Sequence, residues 1–147
     1  MNKQRRKETK ETIIALNGLK SQYEDTNEIN DYDELISEIG DIKEKINDLK
    51  MEEEDAFYNM PESLQCSERG ETMEQNIDYF DEAISSLELI IDYGSEKDIS
   101  SIINSIDEAV NSLIYIDWIS CLDLSRKSSE IFWFNFTLLF IYFYSII

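Results

Sequence analysis

The chain reads as an all-α protein: an antiparallel helical hairpin or coiled-coil bundle with a hydrophobic C-terminal segment. Three observations predict it. Apolar residues recur at heptad spacing over most of the length, the pattern of helices that bury one stripe. Only four glycines and one proline occur among 147 residues, too few turn formers for an all-β fold. Finally, a punctuated stretch from Glu52 through Asn59-Met60-Pro61 to Gly70 separates two heptad segments, as a shaped connection between two long helices would.

The first helix is predicted over residues 3–24. Ile13, Leu16 and Tyr23 lie near one face, helped by Ile14 and Leu19, and Gly18 weakens the middle. The polar run Glu24-Asp25-Thr26-Asn27-Glu28 is either a break or a solvated turn within a longer helix. The second segment is clearer. Tyr32, Leu35, Ile39, Ile42, Ile46 and Leu49 alternate steps of three and four, a heptad seam with charged flanks. In the connection, Pro61 suits the first turn of a short helix through Gln65. Asn59 is its expected cap, Phe57 and Leu64 the apolar plugs closing the hairpin end, and Arg69-Gly70 a flexible joint.

The third long helix repeats the seam through Met73, Ile77, Phe80, Ile84, Leu87 and Ile91, and Gly94 is its expected stop. Ser95-Glu96-Lys97-Asp98 has the form of a capping box. Ile99, Ile103, Ile106, Val110 and Leu113 then give a fourth helix. Stripes this narrow are not stable alone in water, so the helices must pair with each other or with a second chain.

The remainder differs in kind. The acidic heptads fade near Asp117, which divides the chain into a bundle over 1–117, with its connection near 57–70, and a tail over 118–147. Arg126-Lys127 precede a run over 131–147 whose polar interruptions are Asn135, Thr137 and Ser145. As a helix, such a run spans about 25 Å, against about 30 Å for a bilayer's hydrocarbon core. It reads as a membrane anchor with the basic pair on the cytoplasmic side. Two other readings stand beside it: a non-native extension, of the composition that A/T-rich DNA read out of frame produces, and a buried core helix.

Charge narrows the function. The formal net charge is -19, from 32 acids and 13 bases without histidine. Five of those bases (Lys3, Arg5, Arg6, Lys7 and Lys10) stand in the first ten residues beside one acid, Glu8. They suit contact with an anion or simply the solvation of a helix end. The acidic body repels nucleic acid. Cys66 and Cys121 form no metal-type pair, and reduced thiols of a cytoplasmic protein are expected. Without histidine neither a catalytic triad nor a Glu-x-x-His di-iron site can be built. Glu71-x-x-Glu74 could open a magnesium-binding quartet of the pyrophosphohydrolase type, but Glu88 and Glu96 are followed at three residues by Ile91 and Ile99, so the second half is missing. Asp31-Tyr32-Asp33-Glu34 does not continue as a calcium loop. Hence no catalytic, cofactor-binding or metal-binding residue is assigned, no cofactor is expected, and the chain is read as a non-enzyme. The acidic run over 52–55 reads as a solvated helix end, or as part of a surface that mimics a nucleic-acid backbone.

Several strings are not dictated by heptads: Asn2-Lys3 with Arg5-Arg6-Lys7, Glu52-Glu53-Glu54-Asp55-Ala56-Phe57, Asn59-Met60-Pro61-Glu62-Ser63-Leu64-Gln65, and Ser67-Glu68-Arg69-Gly70-Glu71 with Met73-Glu74. On these the chain resembles small acidic, heptad-rich coiled-coil proteins of bacteriophage and bacterial genomes, over roughly residues 1–115. The resemblance implies an origin and a helical fold, and no activity. Against that group, residues 24–34 look like an insertion, and everything after about Asp117 departs.

The expectation is therefore a protein that acts by protein–protein contact or as a structural coiled coil, cytoplasmic, and membrane-tethered if residues 131–147 are an anchor. The alternative is an acidic inhibitor that blocks a host DNA- or RNA-binding protein by mimicry. Contact, including self-association, is expected through the seams (Leu35, Ile39, Ile42, Ile46 and Leu49; Ile77, Phe80, Ile84, Leu87 and Ile91) and through Phe57, Pro61, Leu64 and Arg69 of the connection. No direct contact with nucleic acid is expected.

Overall fold

A computed structural model describes residues 1–24, 32–93 and 98–126, with side-chain surroundings given through Ile116. The chain is all-α, with no strand among the described residues. Its helices are α1 (Lys3–Glu24), α2 (Tyr32–Tyr58), the single turn α3 (Glu62–Gln65), α4 (Glu68–Tyr93) and α5 (Ile99–Arg126). The four long helices close a ring in which α1 packs on α2, α2 on α4, α4 on α5 and α5 back on α1.

Cross-helix pairs fix the directions. Lys43 with Glu88, Lys50 with Asp81 and Glu53 with Asn76 run in opposite order along α2 and α4. Glu82 with Ser112 and Tyr79 with Tyr115 do the same for α4 and α5. Lys45 with Glu11 and Arg5 with Glu53 set α1 against α2. Each helix is thus antiparallel to both neighbours, an up-down-up-down bundle.

Inside the ring lies one apolar core. It takes Leu16, Leu19 and Tyr23 from α1, Leu35, Ile39, Ile46 and Leu49 from α2, Phe80, Ala83, Leu87 and Ile90 from α4, and Ile102, Ile106, Ala109, Val110, Leu113 and Ile116 from α5. Each large side chain so buried contributes about 1.5–3 kcal/mol. The seam expected on α2 lands inside, with Ile42 half-buried. On α4 half of it does, with Met73, Phe80 and Leu87 buried. Asn76, Ala83 and Ile90 occupy the interior, and Ile77, Ile84 and Ile91 sit half-buried on the flank. A helix with two neighbours and a core needs a stripe wider than two positions in seven, and small or polar residues fill the tightest part. Val110 and Leu113 of the fourth expected seam are buried, Ile99 and Ile103 half-buried. On α1, Ile14 points outward at 70% exposure rather than supporting the buried face.

Other expectations change at the ends of elements. The acidic run lies in the last two turns of α2 with Glu52 and Asp55 exposed, as a solvated helix end would, but Glu53 departs from that reading because it is fully buried. Asn59 does not cap the short helix; its amide donates 2.7 Å back to the Asp55 carbonyl. Pro61 holds the cap position with no side-chain hydrogen bond. Asp98 proves to be the cap of α5 itself, accepting a 2.7 Å hydrogen bond from the Ser101 amide. Helix α5 also runs past Asp117 to Arg126. Gly94, Ser95-Glu96-Lys97, residues 25–28 of the polar run and the hydrophobic run over 131–147 lie outside the described residues. Among those described, no helix is long and apolar enough to cross a membrane.

Candidate functional site

The hairpin end, where α2 turns into α4, combines the individual residues noticed in the sequence. Helix α2 ends with paired carbonyls. The Asp55 carbonyl accepts from the Asn59 backbone at 3.1 Å, and that of Phe57 from the Met60 backbone at 3.0 Å. Gln65 reinforces this from α3, its amide donating 2.9 Å to the Met60 carbonyl and 3.3 Å to that of Phe57. The Pro61 carbonyl takes the Leu64 and Gln65 amides at 2.8 and 3.1 Å, and Ser67 opens α4 by accepting from Glu71 at 3.0 Å. A backbone so fully bonded has little freedom.

Gly70 is no flexible joint. It is buried in the first turn of α4, and a Cβ there would overlap the Gln65 carbonyl oxygen and lie 2.5 Å from its carbonyl carbon. Only glycine lets α3 and α4 approach this closely.

Of the residues expected to make contacts, Phe57 is turned inward at 8% exposure, whereas Leu64 is 42% exposed. Pro61 and Arg69 are exposed. Leu35, Ile39, Ile46, Leu49, Phe80 and Leu87 are buried within the chain's own bundle, so self-association through them would require opening it. Sequence reasoning missed Tyr58. At 73% exposure it stands edge-on to Phe57 with ring centroids 5.4 Å apart. The adjacent Phe57-Tyr58 pair at a helix end was the available signal, since neighbours on a helix stand about 100° apart and the two rings cannot share one narrow buried face.

Beneath this end lies a polar layer the heptad pattern gives no reason to expect. The Glu53 carboxylate is held by the Arg5 guanidinium (Nε to Oε2, 2.8 Å), by the Asn76 amide (3.1 Å) and by the Met1 amine (3.3 Å). Arg5 also donates 2.9 Å to the Glu52 carbonyl. Such a charge survives burial only because it is paired.

The surface elsewhere is acidic. Lys20 bonds Asp107 at 2.8 Å, and Lys43 bonds Glu88 at 3.2 Å. Lys50 donates 2.6 Å to Asp81, and this hydrogen bond, with the nearby Glu54 carboxylate, holds its ammonium above the usual lysine range against the opposing effect of burial. A shallow cleft of about 570 Å³ between α4 and α5 is lined by Asp81, Glu82 and Glu108 with Asn111 and three serines. Glu71 and Glu74 are exposed on α4. Among the described residues no set of carboxylates and thiols converges as a metal site.

Comparison with known proteins finds no match: no family model, no curated protein and no solved structure is similar to this chain.

Proposed function

We propose that this chain is a non-catalytic helical-bundle protein that works by docking a protein partner on its hairpin end. The observation that supports the reading is Tyr58, an aromatic ring 73% exposed on a connection whose backbone is locked. A rigid, amphipathic tyrosine is the kind of anchor that contributes much of an interface's affinity, because little side-chain entropy is lost on contact. Leu64, also exposed on this connection, extends the apolar area. Such a protein acts as a structural or adaptor component, in keeping with the resemblance to small phage and bacterial coiled-coil proteins. Tethering to a membrane through residues 131–147 belongs to the same proposal.

The test is site-specific photocrosslinking in the cells from which the gene comes. A crosslinker replacing Tyr58 should give a discrete adduct that is lost with Leu64→Asp, while one replacing Asn17 on the outer face of α1 should give none. Equal, diffuse adducts from both positions would refute the docking site.

The acid-lined cleft between α4 and α5 favours a second reading, mimicry of a nucleic-acid backbone toward a basic protein. Such a contact weakens steeply with salt and with acid-to-amide changes at Asp81, Glu82 and Glu108; docking through Tyr58 responds little to either.

A further inference from the structure

Helix α1 faces the interior with two different chemistries. Its second half contributes Leu16, Leu19 and Tyr23 to the core, whereas its first three turns contribute Arg5, Thr9 and Thr12, all buried. The threonine hydroxyls hold nothing across the interface. Thr9 donates 2.8 Å to the Arg5 carbonyl, and Thr12 donates 2.9 Å to that of Glu8, both within α1. The buried polar hold of the N-terminal stretch on α2 therefore runs through Arg5, which meets Glu53 and the Glu52 carbonyl, with the Met1 amine adding a second contact to Glu53 at 3.3 Å. On the far side, Glu53 is met by Asn76, whose own carbonyl oxygen is buried with no hydrogen-bond partner. Phe57 and Met73, one turn beyond Glu53 and Asn76, are buried but separate from the main core. The polar layer thus divides the interior in two.

We propose that residues 3–12 form a strap that opens and closes as a unit, independently of the bundle, with Arg5 on Glu53 as its clasp. Opening uncovers the Glu53 carboxylate and the unpaired Asn76 carbonyl, an acceptor pair suited to a guanidinium. In the closed strap Arg5 meets the carboxylate alone, and the Asn76 carbonyl has no partner. Within α1 the hydrophobic hold begins at Ile13 and Leu16, with the half-buried Met1 as the one apolar contact ahead of it, so the second half of the helix stays docked while the first half lifts.

Hydrogen exchange at neutral pH on the full chain, resolved by segment, tests this. The first amides of α1 lack helical partners in any case, so residues 7–12 are the readout. They should exchange about tenfold or more faster than residues 16–23 and 102–113, as an independently opening segment does. Glu53→Gln should speed residues 7–12 by a further factor of about ten and leave residues 80–90 and 102–113 unchanged. Arg5→Met should act in the same way, so a folding failure of one variant leaves the other as the test. Exchange of residues 7–12 at the slow rate of the core, or a rise shared equally by all helices, overturns the strap. Fast exchange indifferent to both substitutions indicates simple fraying and overturns the clasp.

Discussion

Alanine in place of glycine should act in opposite directions at three helical positions, and Gly70→Ala is the informative one. Its new Cβ would lie 2.5 Å from the Gln65 carbonyl carbon and 2.8 Å from its Cα, well inside contact distance, against backbone that cannot rotate away. Relief requires Gln65 to move. That residue is tied by its amide to Pro61 at 3.1 Å and by its side chain to the Met60 and Phe57 carbonyls. Loosening three such bonds at about 1 kcal/mol each, less about 1 kcal/mol regained in helix propensity, leaves a net loss of about 2 kcal/mol. For a chain of this size the melting temperature should fall by about 4–8 °C. At Gly18 and Gly40 an added Cβ meets nothing within 4 Å, so alanine at either should stabilise by about 0.5–1 kcal/mol. Urea unfolding followed by helical circular dichroism measures all three, the slope serving as the check on a common unfolded state. If Gly70→Ala lies within about 0.5 kcal/mol of the parent, the close approach of α3 and α4 is wrong.

Two further outcomes are expected. Phe57→Ala should cost about 3 kcal/mol by leaving a cavity beyond the polar layer, whereas Tyr58→Ser should stay within about 0.5 kcal/mol of the parent; thermal melts of both separate the buried ring from the exposed one. The Asp98 carboxyl is held below its ordinary value, first by the Ser101 hydroxyl and then by the Ser101 amide. A depressed carboxylate contributes stability that is present above the ordinary carboxylate range and lost as pH falls through the folded value. The melting-temperature gap between the parent and Asp98→Ala should therefore be widest near neutrality and close below about pH 4.

Much of the bundle was legible in the sequence because large apolar residues mark core positions directly. The first helix was expected over 3–24 and spans Lys3–Glu24, and the Leu35–Ile39–Ile46–Leu49 stripe is buried throughout. The reading fails where the interior is filled by residues the pattern does not count. Asn76 and Ala83 take core places while the larger Ile77 and Ile84 stand on the flank, because a helix between two neighbours crowds its innermost positions. Arg5, Thr9, Thr12 and Glu53 look like surface residues one at a time, and only their convergence from two helices shows otherwise. The connection was recognised as individual, yet Gly70 was assigned freedom when its role is to vanish sterically. That distinction depends on where the Gln65 backbone goes, which no local pattern encodes.

The closing contact of the ring, α5 on α1, joins the two described helices farthest apart in the chain. This imposes an order on biosynthesis. As the polypeptide leaves the ribosome, α2 and α4 find each other across a short, pre-shaped connection. The first helix, although made earliest, keeps one side of Leu16, Leu19 and Tyr23 uncovered until the last helix is complete. Nascent chains halted before Ile116 should therefore carry a formed central hairpin with a sticky leading helix, the stage at which such a protein most needs a chaperone.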